Sequence, residues 1–453
     1  MSKILLILWF LGAWLLGMYI LGNNGIPLWY DHGAYKHFVN ILEKTGNIQS
    51  IPYYLQQQFE PFSGVLFYTL TRYIGQEVVF SYGYPLLYLL ISISFFLLGK
   101  KNGKYTFGSY IWLLFFFFLV GQYMNLWWAF WKQMFAILFL ILLIRYNKKT
   151  IIGLILLAWC IALHRLTGFV AIMYIVFDII FNHKRQSKII LYALALGLIT
   201  YIPTIQIQVL PYLHNIANQS HIFLTWKYGT GFSKPIFWTY ITPLLIAALI
   251  SMKWAFQARA LKEWVPLMLS IVIIFFIITF RGIGHTRFQS FWDLFLIIFI
   301  SQLWYRYINV KILTIITVLQ ISMWSYFTHR WHTPYIEKEE LDIIKNITSS
   351  MPKNINIVTL TWAYMSMMTG YVDNEIYSTY QGIWSTVFDK NELKEMRWNK
   401  SVLCKNLELI DGNTFIYVGA KEVFTSTIDN PCLHEIKNWH NNARLLVYKG
   451  VSK

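Results

Sequence analysis

Apolar segments long enough to cross a bilayer recur from residue 4 to about residue 327, with only short polar breaks between them. A helix needs roughly 20 apolar residues to traverse the hydrocarbon core, and inside that core a segment must satisfy its own backbone hydrogen bonds. The pattern therefore dictates a bundle of membrane-spanning helices. With 57% of the 453 residues hydrophobic and 13% charged, a water-soluble globular class is excluded for this region. About eleven spans are expected, near 4–22, 79–99, 105–121, 123–144, 150–163, 167–182, 188–206, 236–252, 264–280, 289–305 and 311–328. A further stretch near 63–75 is apolar on one side but too short to cross, and reads as an interfacial helix.

Orientation follows from the cationic breaks: Lys3; Lys100, Lys101 and Lys104; Arg145, Lys148 and Lys149; Lys184, Arg185 and Lys188; Lys253, Arg259 and Lys262; Arg306 and Lys311. Every second junction is basic. Under the positive-inside rule these junctions are cytoplasmic, which puts the N-terminus inside and, with an odd number of spans, the tail after residue 327 outside. Much of the net charge of +17 sits in these loops, so it requires no nucleic-acid partner. The first apolar run is longer than the core of about 7–15 residues of a cleaved signal peptide, and is kept as the first span.

From about residue 335 the composition becomes polar, with helical patterning over 337–349 and candidate strands at 355–360 and 415–418. The expected fold is thus an all-α polytopic membrane domain, residues 1–330, followed by a small soluble extracytoplasmic α/β domain, residues 331–453. Cys404 and Cys432, two of three cysteines, fall in the latter, and both a disulfide and a pair of buried thiols remain open. Asn218-Gln219-Ser220 and Asn346-Ile347-Thr348 match glycosylation sequons, a triplet common by chance.

Polar groups that interrupt the apolar pattern gather on the outer side. The loop 23–62 carries Asp31, His32, Tyr35 and His37, and at its far end Glu60 before Pro61. Phe38, Ile41 and Leu42 recur at helical spacing before Gly46, as in an amphipathic helix lying along the interface and seating Asp31. A carboxylate just outside a span is costly unless it faces a polar cavity, which makes Asp31 the leading catalytic candidate. His164 and Arg165 occupy a tight outer hairpin; Arg281, His285 and Arg287 cluster between two later spans with Gly282 and Gly284; Lys132 lies partway along its own span. The planar fork of arginine suits phosphate oxygens, so these cations suggest an anionic lipid headgroup beside Asp31. Plainer readings stand beside each: Asp31 as a helix cap, Arg165 as an interfacial snorkelling residue, and Arg287 as the ion-pair partner of Asp293. The 20 tryptophans and 30 tyrosines read mainly as an interfacial belt.

In order along the chain these features resemble the GT-C superfamily of membrane glycosyltransferases. The acidic residue and amphipathic helix of the first outer loop resemble Asp31-His32-Gly33-Ala34-Tyr35 through Gly46. A proline-led juxtamembrane helix ending in glycine is similar to Glu60-Pro61-Phe62 through Gly75, a short polar-turned hairpin to Ala162 through Gly168, and an arginine-containing late loop to His285-Thr286-Arg287-Phe288. The resemblance covers most of the chain. It implies transfer of a sugar from a polyprenyl-(di)phosphate donor to a lipid, glycan or protein acceptor on the extracytoplasmic face. Asp31 would be the general base, with His32 and Glu60 beside it. Arg165, His164, Arg281, His285, Arg287 and Lys132 would hold the donor phosphate. Many members carry two adjacent acidic residues, whereas here His32 follows Asp31; an ion such as Mg2+ or Mn2+, where one is used, would fall to Asp31 and His32. The order Phe59-Glu60-Pro61-Phe62, Asn125 to Lys132-Gln133, then His164 also resembles the exopolysaccharide and O-antigen repeat-unit polymerases. A transporter or flippase is the rival from another class, but no internal repeat supports it.

Overall fold

The computed structural model describes residues 11–12, 15, 31–51, 60–98, 100–101, 104–105, 119–127, 130–146, 150–182, 187–205, 240–255, 264–281, 285–307, 310–331, 336–347, 355–359, 362–372, 375–378, 404, 407–408, 413–420, 432–440 and 443–448. They divide between two compact units, one drawn from Met1–Ile20, Glu60–Val65 and Ser81–Thr333, the other from Leu21–Phe59, Leu66–Phe80 and Pro334–Lys453.

The helices of the first unit follow the apolar segments closely. They are α3 (Gln76–Leu98, shared with the second unit), α4 (Val120–Trp127), α5 (Trp131–Tyr146), α6 (Thr150–Leu163), α7 (Arg165–Asn182), α8 (Ser187–Ile199), α9 (Pro243–Ala255), α10 (Val265–Arg281), α11 (His285–Tyr307) and α12 (Val310–Trp331). The expected spans near 4–22 and 105–121 lie almost wholly outside the described residues. The expected span 123–144 is divided, with α4 ending at Trp127 and α5 beginning at Trp131. No single described helix is long and apolar enough to cross a membrane alone. Gln76–Tyr84 and Leu86–Leu98 meet the length and composition together, bent by 41°. Pro85 lies between the two halves in the sequence and has no backbone N–H to donate.

Within this unit α6 packs on α5, α7 and α8, α7 on α10, and α11 on α4 and α9. Leu140, Ile141 and Leu143 of α5, Leu157 and Leu163 of α6, and Val170 and Ala171 of α7 are buried. Large apolar side chains also face outward: Ile151 and Ile155 on α6, Leu191 and Leu196 on α8, Leu249 on α9, Phe276 on α10, and Ile315, Val318 and Leu319 on α12. So much exposed apolar surface, spread over five helices, is what a lipid-facing exterior requires.

The second unit holds α1 (Asp31–Thr45), α13 (Lys338–Asn346), α14 (Trp362–Thr369) and a five-stranded sheet; α2 (Pro61–Ile74) contributes its later turns. A separate short ladder, β1 (Lys100–Lys101) with β2 (Lys104–Tyr105), belongs to the first unit. The five strands are β3 (Asn356–Thr359), β4 (Glu375–Ser378), β5 (Thr414–Val418), β6 (Leu433–Asn438) and β7 (Arg444–Tyr448), in spatial order β4-β3-β5-β7-β6. β3 runs parallel to β4 and β5, and β7 antiparallel to β5 and β6. Glu340 of α13 is buried and accepts hydrogen bonds from the Tyr417 hydroxyl at 3.0 Å and the Ala420 N–H at 2.8 Å, which ties the helix to the sheet. Cys404 and Cys432 form a disulfide, resolving the choice left open by the sequence.

Helix α1 ends at Gly46, whose φ of +62° is the left-handed conformation that closes a helix C-terminus. Its apolar face, Ala34, Tyr35, Phe38, Val39 and Leu42, is buried, and the helix packs on α14. That face, which the sequence placed along the membrane interface, is therefore part of a protein core. The fit depends on Gly33, because a Cβ there would lie 2.2 Å from the Ser366 carbonyl oxygen.

Candidate functional site

In the first unit four of the expected residues, Lys132, His164, Arg165 and Arg287, gather near a fifth, Glu60. Pro61 opens α2, its missing amide donor costing nothing at the first helical position. Glu60 precedes it as the cap, its carbonyl oxygen accepting from the Ser63 N–H at 2.9 Å and the Ser63 hydroxyl at 2.7 Å. The backbone thus satisfied, the Glu60 side chain is free to turn toward cations. Lys132 Nζ, at the start of α5, donates to Glu60 Oε2 at 2.7 Å, and both side chains are buried. Arg165, the first residue of α7, donates to Glu60 Oε1 from Nε at 3.1 Å and from its backbone N–H at 3.2 Å. Burial by itself would raise the Glu60 carboxyl, but the charges of Lys132 and Arg165 outweigh it and hold the group well below the usual carboxylate range.

His164, in the turn between α6 and α7, is also buried. Its Nδ1 lies 2.9 Å from Thr167 Oγ1 and its Nε2 lies 3.4 Å from Arg287 Nη1. A guanidinium only donates, so Nε2 faces a donor, and the Thr167 N–H donates toward Nδ1 at 3.4 Å, so both ring nitrogens are met by donors. Burial, aided by the neighbouring cations and only partly opposed by Glu60, holds the imidazole well below its ordinary pKa and keeps it neutral. Arg287, in the first turn of α11, places its guanidinium 4.7 Å from the centre of the Phe130 ring. It does not pair with Asp293, which accepts instead from the Gln122 N–H at 3.1 Å. Gln133 of α5 donates through Nε2 to the Arg287 carbonyl and, at 2.9 Å, to Ser290 Oγ.

One carboxylate therefore pairs with two cations, Lys132 and Arg165, and a neutral histidine stands between them and a third, Arg287. The cluster keeps an excess of positive charge in a largely buried setting, while the Arg165 side chain is 47% exposed and gives it an open side. Chemically, such an arrangement can hold an anion with several oxygens and can stabilise negative charge developing on it.

The other expected residues belong to the second unit or have side chains outside the described residues. Asp31 opens α1, Arg281 closes α10 and His285 opens α11, but their side chains are outside the described residues. His32 is buried in the second unit, edge-on to Phe80 at 5.0 Å. Burial, with smaller contributions from Lys36 and Lys345, pushes its pKa down to about 3. Lys36 and Lys345 lie 4.4 and 5.5 Å from the centre of the same Tyr371 ring. Among the described residues no three His, Cys, Asp or Glu side chains are grouped as a metal site. Sequence reasoning overlooked Ser290 and gave Gln133 no role in the site, because an uncharged polar residue in an apolar segment carries little signal.

No family model and no curated protein matches the sequence. Solved structures do match, over the whole chain. ArnT from Cupriavidus metallidurans bound to undecaprenyl phosphate superposes with a TM-score of 0.58 at 11% identity, covering 99% of this chain and 98% of that one. The same protein in its apo state gives 0.55 at 12% identity, covering 98% and 97%. The chain shares its fold with ArnT.

Proposed function

We propose that this chain is an integral-membrane glycosyltransferase that takes a sugar from a polyprenyl-phosphate-linked donor and passes it to a lipid, glycan or protein acceptor on the extracytoplasmic face. The observation that carries the reading is the cation excess at Glu60, from Lys132 and Arg165 on its carboxylate and Arg287 beyond the neutral His164. The full-length likeness to ArnT, a structure of which holds undecaprenyl phosphate, supports it. So does the apolar exterior of α6, α8, α9, α10 and α12. Residues 1–330 form the membrane domain in this reading, with the N-terminus cytoplasmic, and residues 331–453 are extracytoplasmic.

The reaction is an inverting displacement. The acceptor oxygen bonds to the anomeric carbon as the bond from that carbon to the phosphate oxygen breaks, and the acceptor proton passes to Asp31. General-base catalysis of this kind is worth about 10²–10⁴-fold. Lys132, Arg165 and Arg287 stabilise the charge gathering on the departing phosphate, and Arg281 and His285 are assigned with them to binding the donor phosphate. Removing one such stabilising donor from a water-poor site typically costs about 10²–10³-fold in rate.

The test is transfer of label from radiolabelled polyprenyl-phosphate sugars to lipid-linked acceptors by the purified protein in detergent, with and without divalent ions. Wild type should make a new product, Asp31→Asn should fold and make none, and Arg287→Ala should demand more donor for the same rate. Substantial activity in Asp31→Asn removes the base; unchanged donor dependence in Arg287→Ala removes that residue from the site. A second reading, repeat-unit polysaccharide polymerase, is favoured by the meeting of Glu60, Lys132, Gln133 and His164, the residues whose order resembles that family. A ladder of product sizes rather than a single addition would select it.

A further inference from the structure

Beside the cation cluster lie polar groups that nothing so far described employs. Asn125, on the last turns of α4, is buried, and neither its Oδ1 nor its Nδ2 has a hydrogen-bond partner among the described residues. Gln133 is fully buried; its Nε2 is used by the Arg287 carbonyl and Ser290, but its Oε1 likewise has no partner there. Buried amides are almost always satisfied, so open valences on two residues that each stand one step from Arg287 call for a ligand that supplies the missing partners.

Both are linked to the cation site by a single step. The Asn125 carbonyl accepts from the Phe130 N–H at 2.9 Å, and the Phe130 ring carries the Arg287 guanidinium. Gln133 holds the Arg287 carbonyl directly. What is unfilled is a mixture: two acceptor oxygens and one NH2 donor, none of them charged. A second anion would meet amide oxygens, and a lipid chain would leave every one of these groups unsatisfied. Hydroxyl groups, each able to donate and accept, match the set.

We propose that Asn125 and Gln133 form the subsite that recognises hydroxyl groups of the donor's sugar, adjoining the phosphate-binding cations; this rests on the reading of the chain as a polyprenyl-phosphate-sugar transferase. Gln133 also orders Arg287, so Asn125 is the position that tests recognition alone. Its side chain holds nothing else in place, and replacing it with leucine exchanges an unsatisfied amide for an apolar group of similar size.

The experiment measures binding of undecaprenyl phosphate, and of a panel of its hexose esters, to the purified full-length protein and to Asn125→Leu, with thermal stability recorded alongside. Wild type should prefer at least one ester over the bare phosphate. Asn125→Leu should lose that preference by about tenfold or more, bind the bare lipid phosphate as wild type does, and melt at the same or a higher temperature. An ester preference kept in full by the variant overturns the subsite, as does no preference in wild type. Equal weakening of both ligands, or a lowered melting temperature, shows a structural role and overturns it as well. Should Asn125→Leu not fold, Asn125→Ala deletes the amide without added bulk and is read the same way. Failure of wild type to bind even the bare phosphate sinks the glycosyltransferase reading itself, an outcome distinct from the others.

Discussion

Glu60 meets Lys132 and Arg165 from a buried position, so loss of its charge should be felt first in stability. Removing one partner of a buried pair leaves the other ion desolvated and uncompensated, at a cost of about 3–5 kcal/mol. Glu60→Gln should therefore melt well below wild type, and Glu60→Gln combined with Lys132→Met should recover much of the loss. A double-mutant cycle in detergent measures that coupling; additive effects would mean that the pair contributes no mutual stabilisation. His32 makes a different prediction, through pH. Its folded pKa of about 3 lies below its ordinary value of 6.5, so between these values the unfolded chain binds a proton that the folded one does not. Stability from this group is complete above about pH 6.5 and declines as pH falls toward 3, by up to about 1.4 kcal/mol per pH unit. His32→Gln should flatten unfolding midpoints across that window; an unchanged slope would show that other groups set it. The same burial bears on chemistry, since an imidazole neutral throughout this range is a poor proton donor at neutral pH. The charged members of the first unit's cluster were legible in the sequence because a charge in an apolar segment is expensive and stands out. Their pairing was not: Glu60 and Lys132 lie 72 residues apart, and no local pattern records that distance.

Among elements, the juxtaposition of α1 and α14 shows what periodicity can and cannot tell. The apolar spacing of Phe38 and Leu42 marks a buried face, but lipid and protein bury such a face equally well. The α14 surface that covers it lies more than 300 residues away in the chain. Gly33 is where this packing is most sensitive to change. A methyl group there would meet the backbone of Ser366 and Met367, which cannot yield as a flexible side chain would. Gly33→Ala should destabilise the second unit by about 1–3 kcal/mol, as overpacking does. Limited proteolysis and thermal melting would report it, and wild-type resistance in the variant would show that the helices separate without penalty. Other elements were hidden for simpler reasons. β4 is short, and β6 is a largely exposed, charged strand at the sheet edge without the alternation that marks a half-buried one.

At the scale of the whole chain, superposition on ArnT over 99% of its length at 11% identity shows that one backbone path is compatible with largely different side chains. That is why the fold class could be read from hydropathy while the site had to be assembled from scattered charges. The proposed orientation, with basic junctions inside and the C-terminal region outside, has a direct check in the disulfide. Disulfides persist in oxidising compartments and are rare where thiols are kept reduced. If residues 331–453 face the exterior, Cys404 and Cys432 should be paired in the cell, leaving Cys160, buried in α6, as the chain's remaining thiol. Cells quenched in acid, denatured and treated with a maleimide polymer should then show one modified thiol per chain, and three after reduction. Three without reduction would place that domain in a reducing compartment. It would invert the orientation drawn from the loops and, with it, the face of the membrane on which Asp31 could meet an acceptor.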